Sequence, residues 1–164
     1  MAKSVRIRPV REGELEELVR IYMRAYRGLE EYAERTPEDA RAYLEWLYGT
    51  CPEGFFVAEV DGKIVGFLAC NPHWQGPHGN STCEIHEIVV APEWQRQGIG
   101  SALMERALSF GEENGCATAT LWVGRGNDKA LNWYRKFGFQ LVGSWGRWLR
   151  MRKPLRSGVK TASD

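Results

Sequence analysis

Residues 83–123 narrow the folds open to this chain more than any other stretch. "CEIHEIVVA" (83–91) reads as a strand, and "ATATLWV" (117–123) reads as another. Between them, residues 98–114 carry Ile99, Ala102, Leu103, Ala107 and Phe110 on one helical face, closed by Asn114-Gly115. A strand, a crossover helix and a strand in succession require the two strands to lie parallel in one sheet. Upstream, "FFVAEV-DG-KIVGFLAC" (55–70) is a hairpin on an Asp-Gly turn, which requires an antiparallel pair. The sheet must therefore be mixed.

The remaining elements follow from periodicity and punctuation. "SVRIRPV" (4–10) alternates as a first strand, and Leu15, Leu18, Val19, Tyr22 and Tyr26 make a helical stripe within 12–27. A second helix spans 35–49, with Thr36 as N-cap, Pro37 at the first helical position and Gly49 just past the end. Turn formers mark 71–82 as a polar loop, 127–137 reads as a short helix, and 138–151 as two closing strand segments. The order is β-α-α-β-β-β-α-β-α-β-β: an α/β chain of the α+β type, with a mostly antiparallel sheet, one parallel pair and about four helices. One domain over 1–153 with a C-terminal tail over 154–164 is expected.

Bulk properties exclude more than they select. A net charge of +1 gives no global pull towards nucleic acid or a membrane surface, although "GRWLRMRKPLRSGVK" (146–160) is locally basic. The N-terminus has no apolar h-region, and no run approaches a bilayer span, so a cytoplasmic location is expected. Cys51, Cys70, Cys83 and Cys116 form no C-x-x-C and suit buried free thiols, with a Cys70–Cys83 bridge the one pairing between neighbouring strands. His73, His78, Cys83 and His86 match no short zinc pattern, so no metal is expected.

The chemistry is concentrated in "QRQGIGS" (95–101), where Gly98 and Gly100 stand at the mouth of the crossover helix. Glycine costs helical stability, but it lets an anion's oxygens approach the N–H groups at a helix start. A P-loop would need a following Lys, and a dinucleotide fingerprint would need Gly or Ala where Leu103 stands. Gln95-Arg96-Gln97-Gly98-Ile99-Gly100 instead resembles the Q/R-x-x-G-x-G/A motif of the GCN5-related N-acetyltransferases. "LWVGRGNDKALNWYRKFGF" (121–139) is similar to that family's fifth strand and the segment after it.

The resemblance implies acetyl-CoA as cosubstrate, held where the fourth and fifth strands splay apart. It assigns the pyrophosphate to the N–H groups of Arg96, Gln97, Gly98, Ile99, Gly100 and Ser101, and the pantetheine to the backbone of Val89 and Val90. Asn127 would contact the cofactor from the far side, and Tyr134 holds the general-acid position. The base, which must deprotonate the amine, is Glu84 in the first instance, eleven residues before Gln95, with Glu87 as rival. Strand alternation puts the two glutamates on opposite faces, and places His86 with Glu84. An N–H near Val90 is the expected oxyanion donor.

The family's acceptor groove maps to Tyr26, Leu29, Tyr32 and the pair Trp145/Trp148. "YRGLEEYAE" (26–34) is aromatic and acidic, which suits a cationic acceptor: a protein N-terminus, a lysine or a small amine. The expected reaction is direct transfer in a ternary complex, with no nucleic-acid or membrane partner. Strand edges at 145–150 offer a route to a homodimer. The alternative is a non-catalytic acyl-CoA-binding sensor, which would bind without turnover.

Overall fold

Asp61 and Gly62 both take positive φ, 52° and 77°, a pair that matches the right-handed twist of the strands they join. The computed structural model describes residues 4–76 and 81–156. The described chain runs β1 (Arg6–Pro9), α1 (Leu15–Ala25), α2 (Pro37–Thr50), β2 (Phe55–Val60), β3 (Lys63–Gln75) and β4 (Ser81–Val90). It continues through α3 (Ile99–Glu113), β5 (Thr118–Gly124), α4 (Asp128–Lys136), β6 (Gln140–Trp145) and β7 (Trp148–Pro154). The seven strands are ordered β1-β2-β3-β4-β5-β7-β6, with β4 and β5 parallel at Cys83↔Ala119 and Glu84↔Thr120. The mixed sheet, its one parallel pair and the four helices are those read from the sequence.

The chain divides into two compact units, residues up to Cys70 with Glu87–Ala107, and Asn71–His86 with Leu108 onwards. In the first unit, Leu15, Leu18, Val19 and Tyr22 of α1 and Leu44 and Leu47 of α2 bury against Phe55, Val57, Phe67, Ala69 and Val89. Thr36 caps α2, its hydroxyl accepting from the Asp39 N–H at 3.0 Å. Arg8, only 8% exposed, donates to Glu14 at 2.7 Å and to Glu59 at 2.9 Å, so its buried charge is paired.

The turn into β2 is equally constrained: a Cβ on Gly54 would stand 2.1 Å from the Cys70 carbonyl oxygen. Backbone cannot yield as a side-chain tip does. Gly54→Ala is therefore expected to cost about 3 kcal/mol, read as a lower urea midpoint at unchanged slope.

In the second unit β5 is flanked by β4 and by β7, and Ala119, Leu121, Phe139, Met151 and Leu155 are buried. Four details differ from the sequence reading. Residues 71–75 extend β3 instead of opening a loop, because tertiary contacts override turn propensity: the Cys116 thiol donates to the Pro72 carbonyl at 3.0 Å, and Trp74 packs edge-on to His86. Gly49 lies inside α2, whose C-cap is Cys51. The boundary expected at 153 falls within β7, and Leu155 is buried with its N–H on Ala117, while 157–164 lie outside the described residues. β7 is paired on both sides, so of the two closing strands β6 lies at the edge of the sheet, rather than 145–150. The four cysteines, by contrast, are free and buried as the sequence suggests, and no Cys70–Cys83 bridge forms.

Candidate active site

The candidate anion cradle, residues 96–101, belongs to the first unit. After β4 ends, Pro92–Trp94 make a single 3-10 turn, and Arg96 and Gly98 then take positive φ, 63° and 84°. The Gly98 carbonyl accepts the first helical bond, from Ala102 at 3.0 Å, which makes Gly98 the N-cap of α3. The N–H groups of Ile99, Gly100 and Ser101 consequently have no acceptor within the helix. A Cβ built on Gly98 would meet nothing within 4 Å, so the space beside the helix start is open. Positive φ, open space and a positive helix end together fit a pyrophosphate.

The end of β4 is fixed by backbone bonding. Ala91 donates to Val65 of β3 at 2.9 Å, so alternation turns the N–H and C=O of Val90 away from β3. The Val90 carbonyl accepts from the Gln95 side chain at 3.1 Å, and the Gln97 side chain donates to the Glu93 carbonyl at 3.2 Å. These two glutamines tie the turn before the cradle, a role their place in the motif did not disclose.

The two glutamates meet different partners, as alternation requires. Glu87 is partly buried beneath the helices of the first unit. Tyr26, at the C-cap of α1, donates its hydroxyl to Oε2, and Tyr43 of α2 donates to Oε1 at 2.9 Å. Burial pushes the Glu87 carboxyl up to about 7, against the opposing pull of the two tyrosines, with Glu34 adding a smaller upward push. A carboxyl so placed can exchange a proton near neutral pH. Tyr43, missed from sequence, sits in α2 in what reads as an ordinary core stripe. Leu29 is exposed and Tyr32 partly exposed, both in the segment after α1.

Glu84 lies in the second unit and is 3% exposed. Arg150 of β7 grips it with two bonds of 2.7 and 2.8 Å, and Thr120 adds a third at 2.6 Å. Thr120 in turn contacts Thr82, and Thr82 contacts Thr118, so a chain of hydroxyls binds β4 to β5. Arg150 also lies over the Trp122 ring at 4.7 Å. This is a satisfied internal ion pair. Arg150→Met, which leaves Glu84 buried without its counter-charge, is expected to destabilise the fold by about 3–5 kcal/mol, measured by denaturant unfolding.

The other candidates of the second unit are placed as follows. Asn127 is the N-cap of α4, its side-chain oxygen accepting from Ala130 at 3.4 Å, so the atom it offers a ligand is Nδ2. Tyr134 is half-buried on α4, its ring against Trp133 and Phe139. His86 is held below the usual imidazole range, chiefly by burial. Trp145 is 78% exposed on the β6 edge. Burial pushes the Cys116 thiol up to about 11, which withdraws it as a nucleophile. Among the described residues no three or more His, Cys, Asp or Glu gather to hold a metal; His78 lies outside those residues.

Comparison with known proteins agrees with this geometry. The model of the acetyltransferase (GNAT) family matches residues 15–139. The chain is similar to an uncharacterized N-acetyltransferase of Methanocaldococcus jannaschii, 38% identical over 154 residues, covering 93% of this chain and 68% of that protein. It is also similar to an uncharacterized N-acetyltransferase of Archaeoglobus fulgidus, 42% identical over 129 residues, covering 78% of this chain and 88% of that one. The solved structure of PH1933 from Pyrococcus horikoshii superposes with a TM-score of 0.84 at 39% identity, covering 93% of this chain and 99% of that one. Fold and matches together define an N-acetyltransferase that draws on acetyl-CoA. The chain belongs to the acetyltransferase (GNAT) family.

Proposed function

We propose that the chain acetylates a primary amine by direct attack with both substrates bound, and that Glu87 rather than Glu84 takes the amine proton. The observation carrying this is the contrast between the carboxylates. Burial raises the Glu87 carboxyl to about 7 and its residue is only partly buried, whereas the oxygens of Glu84 are spent on Arg150 and Thr120. An amine near pKa 10 is protonated at neutral pH, so transfer needs an acceptor for its proton.

When bound, acetyl-CoA supplies the acetyl group as a thioester. Ile99, Gly100 and Ser101 would hold its pyrophosphate through their N–H groups, with Arg96, Gln97 and Gly98 shaping the turn. Val89 and Val90 would hold the pantetheine by backbone bonds, the Val90 N–H serving the developing oxyanion. Glu87 Oε takes the proton from the amine, directly or through water. Tyr134 Oη gives a proton to the departing sulfur, and Asn127 Nδ2 serves the cofactor.

The acidic, aromatic segment with Tyr26, Leu29 and Tyr32 suits a cationic acceptor, whether a protein N-terminus, a lysine or a small amine, with Trp145 a further contact. The setting is the cytoplasm, and two copies would join through β6. Calorimetry with acetyl-CoA, run beside thiol release against amines and peptides, tests the proposal. Micromolar binding with acceptor-dependent release supports it. Binding without turnover across a broad panel points to a sensor, and absence of binding overturns it.

A further inference from the structure

Glu87 is held in a way that base chemistry alone does not require. Its two oxygens are taken by hydroxyls from separate helices, Tyr26 at the end of α1 and Tyr43 within α2. Tyr22, 1% exposed, packs against both rings, with centroids 4.7 Å from Tyr26 and 6.0 Å from Tyr43. Its own hydroxyl accepts from the Glu34 N–H at 2.9 Å, which ties the segment after α1 to the same cluster.

We propose that Tyr43 is a positioning residue for the base: with Tyr26 it grips the Glu87 carboxylate from opposite ends and aims its remaining lone pairs at the amine. This rests on the reading of Glu87 as the base. Each carboxylate oxygen has two lone pairs, so a tyrosine on each leaves one per oxygen to accept a proton. Both bonds favour the charged form, while burial favours the neutral one.

The groups facing Glu87 are Tyr22 and Tyr26 from α1 and its end, Glu34 from the segment that follows, and Tyr43 from α2. Tyr43 is held well above the usual phenol range, mainly by burial and then by Glu87 itself. It therefore stays a neutral donor over the whole working range. Without Tyr43, burial wins by a wider margin, and Glu87 ionises only at higher pH.

The test is the pH profile of kcat/KM for wild type, Tyr43→Phe, Tyr26→Phe and Glu87→Gln, with thermal melts alongside. Tyr43→Phe is expected to move the acid limb upward by about half to one pH unit, so activity falls about three- to tenfold near pH 6 and much less near pH 9. The KM for acetyl-CoA should stay unchanged. Tyr26→Phe should shift the limb in the same direction and carries the test if Tyr43→Phe does not fold. A uniform loss at every pH, with the limb unmoved and Glu87→Gln inactive, overturns the positioning role and leaves the base standing. Full activity of Glu87→Gln overturns both.

Discussion

Glu87→Gln is expected to lower kcat/KM by about two to four orders of magnitude and to erase the acid limb near pH 7, without weakening acetyl-CoA binding. The argument follows from where the carboxyl sits. Amide and carboxylate have nearly the same shape, and either tyrosine can rotate its hydroxyl to accept from the new NH₂. Packing is thus preserved while the proton acceptor is lost.

The same substitution makes an opposite prediction for stability. Burial raises the Glu87 carboxyl from its ordinary 4.5 to about 7 in the folded chain. Between those values the folded state holds a proton that the unfolded state has released, so stability falls as pH rises through the window. Glutamine removes that dependence. Glu87→Gln should melt at or above the wild-type temperature at pH 8, and lose its advantage towards pH 4. Activity and stability moving in opposite directions at one residue is the mark of a tuned catalytic group. A variant that loses both together would identify Glu87 as a packing residue instead.

Gly98→Val should reduce acetyl-CoA affinity by about a hundredfold or more, about 2.7 kcal/mol, measured by calorimetry. Gly98 has φ 84° and no heavy atom within 4 Å of a built Cβ, so the substitution meets no protein clash. Its penalty has two other sources. A β-branched residue at positive φ is strained, and relief of that strain would rotate the peptide planes that aim the helix-start N–H groups. The valine methyls would also occupy the space left for the phosphates. Unchanged affinity with a native melting curve would refute the cradle, because strain alone predicts lost stability with binding retained.

Local chemistry explains which features were legible in the sequence. The Asp61-Gly62 hairpin, the Thr36 cap and the Gly98 helix start are set by residues within a few positions of one another, and each was found where the pattern placed it. What escaped was long-range pairing. Glu84 meets Arg150 across 66 positions, and Glu87 meets Tyr26 and Tyr43 across 61 and 44. Alternation separates the faces of two glutamates three residues apart, but it carries nothing about which helix covers each face. The sequence ranks Glu84 ahead of Glu87 as the base by its place before the motif, and the partners on which the proposal for Glu87 rests lie too far along the chain to be read there. The β3 extension through Asn71 and Pro72 was hidden for the same reason, since its support comes from Cys116, 44 residues beyond Pro72.

The β6 strand has a practical consequence of another kind. It runs Gln-Leu-Val-Gly-Ser-Trp without a single charge, with Leu141 and Val142 each 47% exposed and Trp145 78% exposed. Of the lysines, prolines and bulges that usually guard such an edge, it has only the register irregularity between Leu141 and Gly143, and a net charge of +1 adds almost no mutual repulsion between molecules. As a colloid, then, the folded molecule carries its own adhesive strip. If that strip governs association, the concentration at which the solution clouds is expected to rise with any solute that wets indole, measured by turbidity.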